Sequence, residues 1–159
     1  MEIGLYGAGS FGLEVANLIK HKKLVTSLGA SPEIKFVIDN NPEQSRLNDI
    51  LGLFNHEIHI LQSHKELKNT NTKSIFITLS DPDKRSKIYK SLQKDKLNAS
   101  ESLIHKELVI FDNVKIGESN IILENSYIGP FAEIRSNNLI NVGCSIGHDV
   151  KIFNSVVIS

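Results

Sequence analysis

Several things are scarce in this chain of 159 residues: it has one cysteine, one methionine, four prolines and no tryptophan. The lone Cys144 excludes an internal disulfide and suits a reducing compartment. No run of about eighteen apolar residues occurs, and the opening MEIGLYGAGS lacks the basic and apolar regions of a signal peptide. An intracellular, cytoplasmic protein is therefore expected. An excess of charge is also missing, because 18 basic side chains balance 18 acidic ones. That balance argues against nucleic acid or membrane as partner. The histidines His21, His56, His59, His64 and His105 have no metal-ligand spacing and read as surface or loop residues, so no metal is expected.

Helical patterning is itself absent beyond about residue 100, whereas before it strands and helices alternate. This break predicts two domains, 1–99 and 100–159. In the first, Glu2 to Tyr6 reads as a strand, GAGSFG as a glycine turn, and Phe11 to about Leu28 as a helix with Leu13, Val15, Ala16, Leu18 and Ile19 on one face. A second strand, IKFVID, ends at Asp39 and a turn follows at DNNP. The third strand, SIFITL, leads to a helix begun by Pro82 and capped by Ser80 or Asp81. Parallel strands joined by helices make a half-Rossmann sheet.

Gly7, Gly9 and Gly12 match G-x-G-x-x-G between strand and helix, where backbone amides can face a phosphate. Asp39 stands where a ribose hydroxyl is usually held. Such glycines also occur simply because strand and helix pack closely. One mononucleotide half favours a nucleotide attached to another group over a dinucleotide, which leaves a nicotinamide enzyme as the weaker alternative.

In the second domain isoleucine recurs every sixth residue, at 110, 116, 122, 128, 134, 140, 146, 152 and 158. Two places earlier stand Val114, Ser126, Ala132, Cys144, Val150 and Val156, on the same strand face, so Cys144 reads as a small interior residue. Gly117, Gly129 and Gly147 follow their isoleucines and suggest tight bends there. A short strand and a bend repeated three times per coil give a triangular prism, with isoleucines stacked at coil spacing, roughly 4.8 Å. Asn120 and Asn138 fall on inward positions, where stacked amides or left-handed corners accommodate asparagine.

GAGSFG, FVIDNNP, IFITLSDPDKRSKIYKSL and LINVGCSIGHD, in this order and followed through hexapeptides, resemble the sialic acid O-acetyltransferase family of bacterial sugar acyltransferases. Within it the chain is most similar to N-acetyltransferases acting on UDP-4-amino-sugars. The resemblance implies an α/β N-terminal half-Rossmann domain followed by an all-β left-handed parallel β-helix of hexapeptide repeats. It further implies a homotrimer that binds a UDP-amino-sugar in the first domain and acetyl-CoA between adjacent prisms, serving surface glycan synthesis. Gly7, Gly9, Ser10, Phe11 and Gly12 would form the nucleotide loop, and Asp39 and Asn40 would meet the nucleoside. Arg85 matches a family arginine, either a ligand contact or a solvated helix residue. His148 falls on the catalytic histidine and Asn141 on an asparagine close to it.

His148 suits the chemistry, since transfer from a thioester needs a base for the attacking amine or hydroxyl, and an imidazole of pKa near 6.5 serves at neutral pH. Its other reading is an exposed polar residue. Asp149 could orient it only if the corner turns both side chains outward. The chain departs from the family at Phe11, where a histidine or polar residue is usual, and in its few hexapeptides, which carry the expectation of a truncated enzyme. A noncatalytic nucleotide-sugar-binding trimer is the alternative.

Overall fold

The computed structural model describes residues 1–41, 46–69 and 74–159. Its first sheet grows from nearly continuous apolar runs, as expected for strands covered on both faces. β1 (Glu2–Tyr6) lies between β3 (Glu33–Ile38) and β5 (Ile75–Ile77), and β4 (His59–Leu61) adds the far edge. All neighbours are parallel, in the order β4-β3-β1-β5. Helix α1 (Ser10–Lys20) lays Val15, Ala16 and Ile19 on this sheet, and α2 (Leu47–Gly52) packs beside it. In α3 (Pro82–Lys94) the Asp81 carboxylate accepts from the Lys84 amide at 2.9 Å, with Pro82 in the first turn. The DNNP turn runs into Pro42, outside the described residues.

Helix α1 stops at Lys20 rather than near Leu28. Lys22 takes a left-handed φ of 54°, and the chain returns as a strand, β2 (Leu24–Thr26). The β-branched pair Val25 and Thr26 favours extension over helix. β2 runs antiparallel to β6 (Leu103–His105), so a strand from the first hundred residues extends a sheet of the second half.

From β6 onward two-residue strands fall on three faces. One holds β7 (Lys115–Ile116), β10 (Glu133–Ile134) and β13 (Lys151–Ile152). The second continues from β6 through β8 (Ile121–Ile122), β11 (Leu139–Ile140) and β14 (Val157–Ile158). The third pairs β9 (Tyr127–Ile128) with β12 (Ser145–Ile146). Ile104, Ile122, Ile140 and Ile158 are thereby aligned, as are Ile116, Ile134 and Ile152, and Ile128 with Ile146. Ile122, Ile128 and Ile140 are fully buried. Each such side chain contributes about 2 kcal/mol on burial. Ala132 and Cys144 point inward as expected, whereas Val150, in the outermost coil, is exposed.

The corners correct the expectation for the glycines. Left-handed backbone occurs three residues after the isoleucine, at Ser119, Asn125, Phe131, Asn137, Gly143, Asp149 and Ser155, with φ between 56° and 70°. Gly117 and Gly129 serve a different need. A Cβ on Gly129 would lie 2.6 Å from the His148 nitrogen, and one on Gly117 would lie 3.0 Å from the Arg135 carbonyl. They are small because the next coil passes over them. Asn120 and Asn138 form the stacked ladder: the side-chain oxygen of Asn120 accepts from the Asn138 amide and that of Asn138 from the Val156 amide, each at 2.8 Å.

Phe131 is the bulky member of the left-handed series, and its side chain is exposed. A non-glycine residue there costs about 1–2 kcal/mol, less for asparagine. Phe131→Asn is therefore expected to stabilise the chain by about 1 kcal/mol. Urea denaturation measures this, and an unchanged or lower midpoint counts against strain at that corner.

Candidate functional site

At the carboxyl ends of β1 and β3 lies a crevice of about 470 Å³. This is the edge at which open parallel sheets bind ligands. Tyr6, Ile38, Leu79 and Ile88 give it apolar walls, Gly7, Ala8 and Gly9 a peptide rim, and Lys84 and Lys87 two exposed cations. Gly7 has φ +111°, and a Cβ there would meet the Leu79 side chain at 2.7 Å. At Gly12 a Cβ would lie 2.4 Å from the Gly7 carbonyl oxygen, so this glycine lets helix and loop close on each other. A Cβ on Gly9 would meet nothing within 4 Å, so this side of the loop is open. No side chain caps α1, whose first amides are therefore open to an anion.

Asp39 lines the crevice with both oxygens engaged, Oδ2 accepting from the Ala8 amide and Oδ1 from the Asn41 amide, each at 2.8 Å. The carboxylate thus ties the end of β3 to the glycine loop, with lone pairs to spare for a ligand. Burial, followed by the charge of Asp39, raises the Tyr6 phenol above its usual pKa, so its proton stays in place at neutral pH. Asn40 also lines the crevice.

The remaining loop residues lie elsewhere. Ser10 is exposed, Gly12 is buried behind Gly7, and Phe11 packs partly buried against the core, so none of the three lines the cavity. Arg85 is not a solvated helix residue, and it does not line the crevice. It is fully buried, and its guanidinium donates to the carbonyls of Ile77, Leu79 and Asn137. Two histidines also depart from the surface reading. His64 is buried with Nε2 at 3.1 Å from the Ser91 hydroxyl and 3.2 Å from Asp95, and His105 is buried in β6.

On the prism, His148 is exposed, and its Nδ1 lies 2.7 Å from Oδ2 of Asp149. The left-handed turn at Asp149, φ 59°, brings the two successive side chains to the same side. A carboxylate only accepts, so Nδ1 carries the hydrogen and the neutral ring keeps its lone pair on Nε2, facing outward. Asn141 occupies the preceding corner, with its side-chain oxygen on the Val142 amide at 2.9 Å and its carbonyl on the Ser126 hydroxyl at 2.8 Å. It makes no hydrogen bond to His148. Among the described residues no group of three or more His, Cys, Asp or Glu is arranged to hold a metal, and no helix is long and apolar enough to cross a membrane.

Sequence reasoning missed Lys84, Lys87, Leu79 and Ile88 as crevice residues. A signal was present: Lys84 and Lys87 stand three apart, in the first turns of a helix that follows a strand of the same sheet.

No family model matches the chain. Over 58 residues it is 41% identical to the bifunctional protein GlmU of Thermodesulfovibrio yellowstonii, a match that spans 33% of this chain and only 13% of that protein. The fold is that of solved acetyltransferase structures. PerB from Caulobacter crescentus, in complex with CoA and GDP-perosamine, superposes with a TM-score of 0.75 at 16% identity, over 99% of this chain and 68% of PerB. The acetyltransferase domain of PglB from Neisseria gonorrhoeae, with acetyl coenzyme A, gives 0.73 at 17%, over 98% and 69%. WeeI from Acinetobacter baumannii gives 0.52 at 21%, over 95% and 69%.

Because the obstacle at Gly12 is backbone, it cannot be relieved by a rotamer change. Gly12→Ala is expected to cost about 2 kcal/mol or more in chemical denaturation. A wild-type midpoint would mean that the loop is not closed on the helix as described.

Proposed function

We propose that this chain is the substrate-binding and base-bearing part of an acetyl-coenzyme A-dependent sugar acetyltransferase, akin to the sialic acid O-acetyltransferase family and nearest its N-acetyltransferases. The observation that carries the reading is the His148–Asp149 contact of 2.7 Å on a prism whose neighbours include coenzyme-bound acetyltransferases. The half-Rossmann crevice supports a nucleotide-linked amino-sugar as acceptor: open amides and two lysines suit a diphosphate, and apolar walls with Asn40 suit a nucleoside. A single mononucleotide half with no second half beside it favours this over a nicotinamide dinucleotide.

In the reaction the acceptor amine attacks the thioester carbonyl. Nε2 of His148 takes the proton as the new C–N bond forms, the C–S bond breaks, and the coenzyme leaves as thiolate. Asp149 holds the ring in the tautomer with its lone pair outward and stabilises the imidazolium. No acyl-enzyme is required, consistent with a Cys144 that is buried in the prism. The family resemblance adds a homotrimer with acetyl-CoA between adjacent prisms, working in the cytoplasm and supplying surface glycan synthesis.

His148→Ala is expected to lower acetyl transfer to a UDP- or GDP-linked 4-amino-sugar about a hundredfold or more while the sugar's affinity stays within about twofold. Turnover near wild type would remove His148 as the base. Sugar binding in both proteins with no transfer in either would leave a noncatalytic binding protein.

A further inference from the structure

Arg85 is a buried cation, and among the described residues no carboxylate meets its guanidinium. Nη1 donates to the carbonyls of Ile77 at 2.6 Å and Leu79 at 2.9 Å, both at the end of the strand that borders the crevice. Nε and Nη2 reach across to the Asn137 carbonyl at 3.3 and 3.0 Å, and Nη2 to the Asn137 side-chain oxygen at 3.2 Å. The bonding is reciprocal: Nδ2 of Asn137 donates to the Arg85 carbonyl at 3.3 Å and to the Ser155 hydroxyl at 2.8 Å. Burial pushes the guanidinium down to about 10.

Such a group is a poor choice for stability alone, since an apolar side chain of similar volume would avoid desolvating a charge. Its position has another consequence. Lys84, Lys87 and Ile88, on the same helix, line the crevice, as does Leu79, whose carbonyl Arg85 holds. At the far end Asn137 and Ser155 occupy the same corner of two successive coils, both buried and left-handed. From Ser155 only the strand Lys151–Ile152 intervenes before the corner that carries His148 and Asp149.

We propose that Arg85 is a positioning residue that transmits occupancy of the crevice to the prism, tightening the corners at Asn137 and Ser155 when Lys84 and Lys87 close on a diphosphate. This rests on the nucleotide reading of the crevice. The planar fork holds the β5 end and Asn137 together, and the Asn137 amide meets the α3 backbone at the Arg85 carbonyl, so movement of α3 is carried to the corner. Arg85 touches no substrate and acts through Asn137.

The test is amide hydrogen exchange on the full chain, alone and with saturating UDP or GDP as probe. In the wild type, nucleotide is expected to slow exchange in peptides covering 7–12 and, by about fivefold or more, in those covering 135–139 and 153–157. Asn137→Gly keeps the left-handed backbone and the carbonyl that Arg85 meets but removes the side-chain bonds to Arg85 and Ser155, and Arg85→Lys keeps the charge but removes the fork. In both variants the loop peptide is expected to slow as before, with the corner effect below about twofold. Loop protection without any corner effect in the wild type, or an undiminished corner effect in both variants, overturns the coupling alone. If neither nucleotide slows the loop in the wild type, the nucleotide reading falls and the coupling with it.

Discussion

Peptide stacked on peptide at a step of one coil is the contact on which the other features rest. Leu139 donates to the Val156 carbonyl, Ile121 to that of Asn138, and Glu133 to that of Val150, so each coil satisfies the backbone of the coil beside it. The side chains follow the same step, with isoleucine above isoleucine on every face. Because the coil length is fixed, whatever stands at a corner stands in a column. Ser119, Asn137 and Ser155 form one such column, buried rather than solvated. The Ser119 hydroxyl donates to Ala99 and Asn137 meets Arg85, so this column is the seam between the prism and the first hundred residues.

The same constraint sets the His148–Asp149 contact at a neighbouring corner. A regular strand would send His148 and Asp149 to opposite faces. The left-handed residue required once per hexapeptide falls on Asp149, turns the chain there, and lets the carboxylate reach Nδ1. Gly129 one coil earlier has no side chain to displace His148 from below. Corner geometry thus supplies the orienting contact that the proposed base needs, without a partner from a distant part of the chain. In the first half, strand ends, two tight glycines and the Asp39 bridge to Ala8 play the corresponding part by fixing a peptide-rimmed crevice.

What could be read in the sequence was whatever repeats or caps locally. The isoleucine series predicted three faces because period carries that information directly, while the asparagine positions left a ladder or a left-handed corner, of which the structure has the ladder. Pro82, with Ser80 or Asp81 as cap, announced the start of α3 in the same way, and the cap is Asp81. The end of α1 was misjudged because β2 is held by pairing with β6, nearly eighty residues on, a contact that no local preference encodes. Glycines after isoleucine look like bends, and only the stacked coil reveals that they are clearance. Arg85 has the profile of a solvated helix residue until the prism closes over it. Asn141 and His148 are near in sequence, yet a two-residue strand puts them on different corners.

The central claim is that the crevice and the histidine corner serve one nucleotide-sugar acetyl transfer. Calorimetric titration of the purified chain with UDP- and GDP-linked 4-amino-sugars, with acetyl-CoA and NADH in parallel, tests it most directly. Saturable binding of one nucleotide-sugar, weakening as salt screens Lys84 and Lys87, is the predicted result. Saturable NADH binding with no heat from either nucleotide-sugar would contradict it.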